Sequence, residues 1–221
     1  MTRCASESDH PAQGLAWTDP DPLKLSTQTE RTLIRPYRSD DVDAVFEAVE
    51  LSRGALLPWM PWARVSGDRK AATMTYVAAQ ATLATGPLKP EGVGVGIFER
   101  DSGAFLGSTG FHDLRRETAS VETGYWIRAD RHREGLCTEA MRGWITHMLR
   151  PKPSGGLGLN RVRIYCSADN LPSQQIPRKL GFRHEVHQRA DYYVPEHGIT
   201  DRLGWGVLAE EWNASERDHR A

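Results

Sequence analysis

The chain has 221 residues, 39% of them hydrophobic and 26% charged, with a formal net charge of −1. That length and composition fit one soluble globular domain with a sizeable core. So balanced a charge excludes a global field for nucleic acid or an anionic membrane, and no apolar run approaches the ~18 residues that span a bilayer.

Residues 1–24 are polar and carry Pro11, Pro20 and Pro22. They read as a mobile tail on which only Leu15 and Trp17 could dock. Met1–His10 lacks the apolar centre of a secretory signal. A strand is expected at Thr32–Arg35, stopped by Pro36. Ser39 then reads as an N-cap, with Asp40, Asp41 and Asp43 in the first turn and an apolar stripe of Val42, Val45, Phe46 and Val49, so a helix is expected over about 39–53. Leu56–Ala63 contains Trp59, Trp62 and two prolines; it either packs as a plug or lines a pocket. A second helix is expected from Ser66, with Ala72, Tyr76, Ala79 and Leu83 at helical spacing, ended by Gly86 and Pro87. Three antiparallel strands follow, at 93–100, 104–114 and 119–128, joined by turns.

The third of these strands runs into Ala129–Asp130–Arg131–His132–Arg133–Glu134–Gly135, and a helix follows with Leu136, Ala140, Trp144 and His147/Met148 on one face. A strand that ends in a basic, glycine-containing loop and opens a helix presents free N–H groups to an anion. Arg128, Arg131, His132 and Arg133 gather there, which reads as a diphosphate-binding corner. The strand at 161–167 returns after this crossover and is expected parallel to 119–128. A short helix starts at Asn170–Ser173; 189–198 is expected as a connection, 201–208 as a last strand, and 213–221 as a polar tail. The sum is an α+β domain over 25–212.

Three cysteines (Cys4, Cys137, Cys166) with no C-x-x-C spacing argue against a disulfide framework and a cysteine zinc site. The reducing cytoplasm is the expected compartment. His184 and His187 fall on an expected strand, where a three-residue spacing does not share a face, so no metal is expected. Cys137, at a helix N-terminus where a thiolate is favoured, is read as a small packing residue rather than a redox centre.

Four pieces of the sequence, in order over about residues 28–212, resemble the GNAT superfamily of acyl-CoA-dependent N-acetyltransferases, in particular its RimJ/RimL branch. They are Thr29–Pro36, Trp59–Met60–Pro61–Trp62, Gly124–Tyr125–Trp126–Ile127 through Thr138–Glu139–Ala140, and Asn170-x-x-Ser173 through Leu180–Gly181–Phe182. The resemblance implies a mixed, mostly antiparallel sheet of about seven strands with about four helices, splayed between the strands at 121–128 and 161–167. It implies acetyl-CoA as co-substrate and no metal. The pyrophosphate loop would be His132, Arg133, Glu134, Gly135, Leu136, Cys137 and Thr138, although only Gly135 matches the family pattern cleanly. Backbone groups near Trp126 and Ile127 would meet the pantetheine arm, Arg128 would stand with the diphosphate corner, and Asn170 would hold the pantetheine amides beside Ser173.

By the same resemblance Glu122 is the general base and Ser173 the candidate proton donor to the thiolate. Many relatives use a tyrosine for the latter role, and here its position is Pro177. Each has a plainer reading: Glu122 as a surface carboxylate, Ser173 as a first-turn serine, Asn170 as an N-cap. A carboxylate with the ordinary pKa of ~4.3 deprotonates an α-amine more easily than a lysine amine by about 3 kcal/mol. That favours an N-terminal or similarly weak amine, and the branch resemblance implies a protein N-terminal amine as acceptor, as in ribosomal-protein acetylation, reached past Trp59, Trp62, Tyr192 and Tyr193. A free small amine (polyamine, amino acid or antibiotic) is the alternative, and a non-catalytic binding module of the same fold is a third reading. No membrane and no direct nucleic-acid contact is expected; a homodimer would suit similar proteins.

Overall fold

The computed structural model describes residues 17–18, 25–64, 66–89, 91–195 and 198–218. In chain order the elements are β1 (Thr27–Gln28), β2 (Thr32–Arg35), α1 (Val42–Leu56), α2 (Arg69–Leu83), β3 (Val93–Glu99), β4 (Phe105–Arg115), β5 (Ser120–Glu122), β6 (Tyr125–Ile127), α3 (Leu136–Leu149), β7 (Arg161–Ser167), α4 (Leu171–Lys179), β8 (Arg183–Val194), β9 (Gly198–Leu208) and α5 (Ala209–Asp218). One sheet runs β1-β2-β3-β4-β5-β7-β9-β8, with β6 also on β4. Every pairing is antiparallel except β5 with β7, which is parallel as the crossover requires. The α+β class holds, with nine strands and five α-helices among the described residues.

The strand expected over 119–128 is two strands. Ser120, Val121 and Glu122 pair with Arg161, Val162 and Arg163 of β7. The Thr123 N–H makes one more link, to Arg163 O at 2.9 Å. Beyond it the chain leaves β7, and Tyr125–Ile127 pair only with β4. Side chains occupy the peptide groups at the break: Thr123 Oγ1 donates to Gly110 O at 2.5 Å and Thr109 Oγ1 to Gly124 O at 2.8 Å. The sheet is thus parted between β6 and β7, with its apex at Thr123.

Helices cover both faces. On one, α3 buries Leu136, Ala140, Met141, Trp144, Ile145 and Met148, the stripe its sequence spacing predicts. Each leucine, isoleucine or methionine among them contributes roughly 1.5–3 kcal/mol by leaving water. On the other, α1 and α2 enclose Tyr37, Val45, Ala48, Val77, Phe98 and Phe105. α1 begins later than expected, because Asp41 rather than Ser39 meets the preceding backbone, accepting from the Arg38 N–H at 2.7 Å. It also runs on to Leu56, stopped only by Pro58, and Pro61–Arg64 forms a 3-10 turn.

Two expectations near the C-terminus change. Residues 189–194 are not a connection but the second half of β8, reached through a register shift between Gln188 and Tyr192 with Ala190 at φ 54°. That bulge breaks the alternation that would have marked the strand. Ala209–Asp218 is helical, because Trp212 is 1% exposed against Phe182 and donates to Thr146 Oγ1 at 3.0 Å. At the other end, Trp17 packs on the core and donates to Leu157 O at 3.3 Å. The rest of the expected N-terminal tail, Leu15 and Cys4 included, lies outside the described residues.

Candidate active site

The parted sheet leaves one edge of β6 without a strand partner. The Arg128 N–H donates to Leu106 O at 2.8 Å, and Trp126 faces Ser108. By the alternation of an antiparallel ladder, the peptide groups of Tyr125 and Ile127 point the other way, into the split. The Ile127 carbonyl is met there by His132 Nε2 at 2.8 Å. Ile127 rather than Trp126 therefore offers the backbone groups that sequence reasoning placed near both.

The loop after β6 turns through two left-handed residues, Arg133 at φ 67° and Gly135 at φ 79°. Gly135 is the N-cap of α3 and carries no capping side chain. The first N–H groups of the helix, from Leu136 through Thr138, thus point out of the helix end with the positive pole of its dipole behind them. The cations around this corner divide into two kinds. Arg128 is spent on Asp130 (2.7 Å) and Phe105 O, and Arg131 on Glu99 (2.9 Å) and Glu134 (3.0 Å). Arg133 forms no hydrogen bond or ion pair among the described residues. Arg31 pins the corner from outside: Glu139 accepts from Thr29 Oγ1 (2.6 Å), the Arg31 N–H (2.7 Å) and Arg31 Nε (2.6 Å), and Arg31 Nη1 reaches Glu134 O (3.1 Å). Burial works to raise the Glu139 pKa, but those hydrogen bonds outweigh it and hold it below the ordinary carboxylate value. Cys137 is half-buried, and loss of solvent pushes its thiol up to about 12, against the thiolate that the helix end alone would favour.

Across the split stands α4. Asn170 caps it, its Oδ1 accepting from the Ser173 N–H at 3.1 Å, as its plainer reading had it. Pro177 lies inside this helix, so the Ser173 carbonyl has no i+4 donor. Tyr125, from β6 on the far side, supplies it: its hydroxyl donates to Ser173 O at 2.7 Å and lies 3.4 Å from Ser173 Oγ. Burial raises the Tyr125 pKa far above its ordinary value, so the group stays a neutral phenol. At the apex, Glu122 is 17% exposed, with His112 Nε2 at 3.8 Å and Arg202 Nη2 at 3.9 Å. Tyr192 is half-buried close to Glu122, Arg202 and Cys166, and desolvation raises its pKa.

A cavity of about 490 Å³ opens on the other side of β6, walled by α1, α2, β3 and β4. Trp62 and Trp126 stand together in it at 5.9 Å between ring centroids. Trp62 and Tyr76 are 44% and 42% exposed and both face this space. Its floor has room because Gly94 lacks a side chain; a Cβ there would stand 2.5 Å from the Tyr76 hydroxyl. The Tyr37 hydroxyl donates to Ser108 Oγ at 2.8 Å, and burial raises its pKa well above the ordinary phenol value.

The residues singled out in the sequence therefore fall into two groups. Glu122, Ile127, His132 through Thr138, Asn170 and Ser173 surround the split, and Trp62 and Trp126 line the cavity beside it. Trp59 lies outside the cavity lining, and Tyr193 is 67% exposed on the β8–β9 hairpin. Sequence reasoning missed Tyr125, although a proline four residues after Ser173 already signals a carbonyl in need of a donor. It also missed His112, Arg202 and the Glu50–Arg53–Arg69 group on the cavity wall, which become neighbours only through tertiary pairing. Among the described residues no cluster of three or more His, Cys, Asp or Glu could hold a metal, and no helix is long and apolar enough to cross a membrane.

Known proteins share this fold. The chain is 32% identical over 111 residues to the "Putative ribosomal N-acetyltransferase YdaF" of Bacillus subtilis (strain 168), covering 50% of this chain and 57% of that relative's length. Its fold superposes on a crystal structure of a "Probable acetyltransferase" with a TM-score of 0.70 at 24% identity, over 84% of this chain and 98% of the other. It does so equally, at 18% identity over 81% and 95%, on RimL, a ribosomal L7/L12 alpha-N-protein acetyltransferase in complex with coenzyme A. The family described as Acetyltransferase (GNAT) domain matches residues 31–183, most of the chain. The chain belongs to the GNAT acetyltransferase family, and it spans little more than half the length of the ribosomal N-acetyltransferase relative it matches.

Proposed function

We propose that this protein transfers an acetyl group from acetyl-CoA to a primary amine, with a peptide α-amine as the favoured acceptor. The observation that carries the reading is the parted sheet: an open β6 edge flanked by the uncapped start of α3 on one side and Ser173 on the other. The groups fit the co-substrate. The N–H groups of Leu136 through Thr138 and the free Arg133 suit a diphosphate, and the Tyr125 and Ile127 peptide edge suits an amide-bearing arm lying along it like a strand.

The amine enters from the Trp62–Trp126 cavity and meets the thioester at the β6 edge. Its lone pair forms the N–C bond to the acetyl carbon. Negative charge gathers on the carbonyl oxygen, where an N–H of the β6 edge stabilises it by a fixed dipole. The amine proton passes by way of His112 or a water to Glu122, and the C–S bond breaks. The leaving thiolate takes its proton from the Ser173 hydroxyl, which solvent restores. With Pro177 where relatives carry a tyrosine, the Ser173 hydroxyl and the Tyr125 phenol are the nearest neutral donors on that side.

A second reading, a protein that binds acyl-CoA without transferring the acyl group, is favoured by His132 on the Ile127 carbonyl, which an incoming arm has to displace or accommodate. Calorimetric titration of acetyl-CoA, followed by CoA release with N-terminal peptides, separates the two. Binding together with amine-dependent release supports transfer; binding with no release from any amine supports the second reading, and no binding at all sinks both.

A further inference from the structure

The acceptor cavity is electrically polarised along its length. At one end, the last turn of α1 and the first turn of α2 bring Glu50, Arg53 and Arg69 together on its wall. Arg69 grips Glu50 with two hydrogen bonds, of 2.8 and 2.6 Å, while Arg53 stands 3.9 Å from the same carboxylate. The Arg69 hydrogen bonds hold the Glu50 pKa below its ordinary value, so the carboxylate is ionised at neutral pH. The cluster then carries two positive charges and one negative, and Arg53 makes only the looser contact. At the other end lie Glu91 and His112, with Glu122 just behind His112. The α2 face that lines the cavity runs from Arg69 to Gln80, a separation of eleven positions or about 16 Å at 1.5 Å per residue. Between the ends the wall is aromatic, with Trp62, Trp126 and Tyr76 facing the space.

We infer that the acceptor is a slender primary amine carrying a carboxylate at its far end, with the amine delivered at the His112–Glu122 end and the carboxylate held by Arg53 and Arg69. The inference rests on the acetyl-transfer reading above. An extended chain of three residues covers about 10 Å of that ~16 Å wall, and the arginine side chains lining its end reach in to meet it. The carboxylate comes either from the C-terminus of a short free peptide or from an acidic side chain about three residues into a longer one; both offer the same planar acceptor to a guanidinium. Neutral or cationic far ends, polyamines among them, meet the wrong charge there.

The test compares initial rates of CoA release at fixed acetyl-CoA for matched tripeptides such as Ala-Phe-Ala, with a free C-terminus and with a C-terminal amide. A third peptide, amidated and longer, carries aspartate at position three. The amines of the first pair are nearly alike, so a difference reports the far end. The expected result is a kcat/KM at least about tenfold higher for the free acid, with the aspartate peptide showing which source is preferred. Arg53→Met brings the ratio to about one while acetyl-CoA affinity is unchanged, and Glu50→Gln, which removes the competing carboxylate, raises it. A ratio of one in the unaltered protein, or an Arg53→Met variant that lowers both rates equally, overturns the inference but leaves acetyl transfer standing. CoA binding without release from any amine would overturn the transfer reading and the inference with it.

Discussion

The two sides of β6 are built from different material. On the α3 side the open groups are main-chain: the Ile127 and Tyr125 peptide edge and the N–H groups of Leu136 through Thr138. On the α1–α2 side they are side chains, from Trp62 and Tyr76 to Arg53 and Arg69. A main-chain site keeps its chemistry when its side chains change, so the N–H groups at the start of α3 do not depend on which side chains stand at 132, 133 and 137. A side-chain site changes its preference with each substitution. The corner is thus the half least sensitive to side-chain change, and the cavity the half most sensitive to it.

Filling the corner should do most damage. Gly135→Trp puts a bulky side chain at a left-handed residue and is expected to weaken acetyl-CoA binding at least about 100-fold in calorimetry, because the helix N–H groups lose their access. Retained affinity would show that the diphosphate does not lie there. Glu122→Gln comes next: kcat should fall by about 10² or more while acetyl-CoA affinity holds, as expected for a lost general base. An equal loss of affinity would instead make Glu122 part of the frame.

Glu139→Gln tests the pin on the corner. Removing a carboxylate that accepts three hydrogen bonds should lower unfolding stability by roughly 2–3 kcal/mol in urea titration. Its pKa is depressed in the folded state, so its contribution is complete above the ordinary value of 4.5 and is lost as pH falls from there through the folded value. The variant's stability should therefore fall less steeply with acid than the parent's. The smallest effect is Arg133→Gly, which relieves a left-handed non-glycine residue and gains up to about 1 kcal/mol of stability. Its acetyl-CoA affinity should drop less than about tenfold, since an exposed charge adds little to a main-chain site. A larger drop would make side-chain charge, not backbone, the basis of the corner.

The architecture was legible wherever a local pattern dictates structure: the α3 stripe, the crossover into β7, the cap at Asn170. It was illegible where contacts between distant segments decide. Nothing in 119–128 marks the break at Thr123, because the groups that satisfy it come from Gly110 and Arg163. Ala190 hides the second half of β8 by interrupting its alternation, and α5 owes its order to Trp212 finding Thr146 and Phe182. The site followed the same rule. The backbone corner could be read because a strand, a loop and a helix start are consecutive. The Glu50–Arg53–Arg69 cluster could not, because the α1–α2 turn assembles it.

The hydrogen bond from Tyr125 to Ser173 joins the two banks of the parted sheet where no ladder does. Mechanically it is a spacer: it fixes the width of the slot before any ligand arrives. A slot held open needs no opening step, so association with acetyl-CoA should follow simple single-phase kinetics. In Tyr125→Phe, with the spacer cut, the banks are free to close or splay, and a slower, concentration-independent phase should appear as the width is set anew at each encounter.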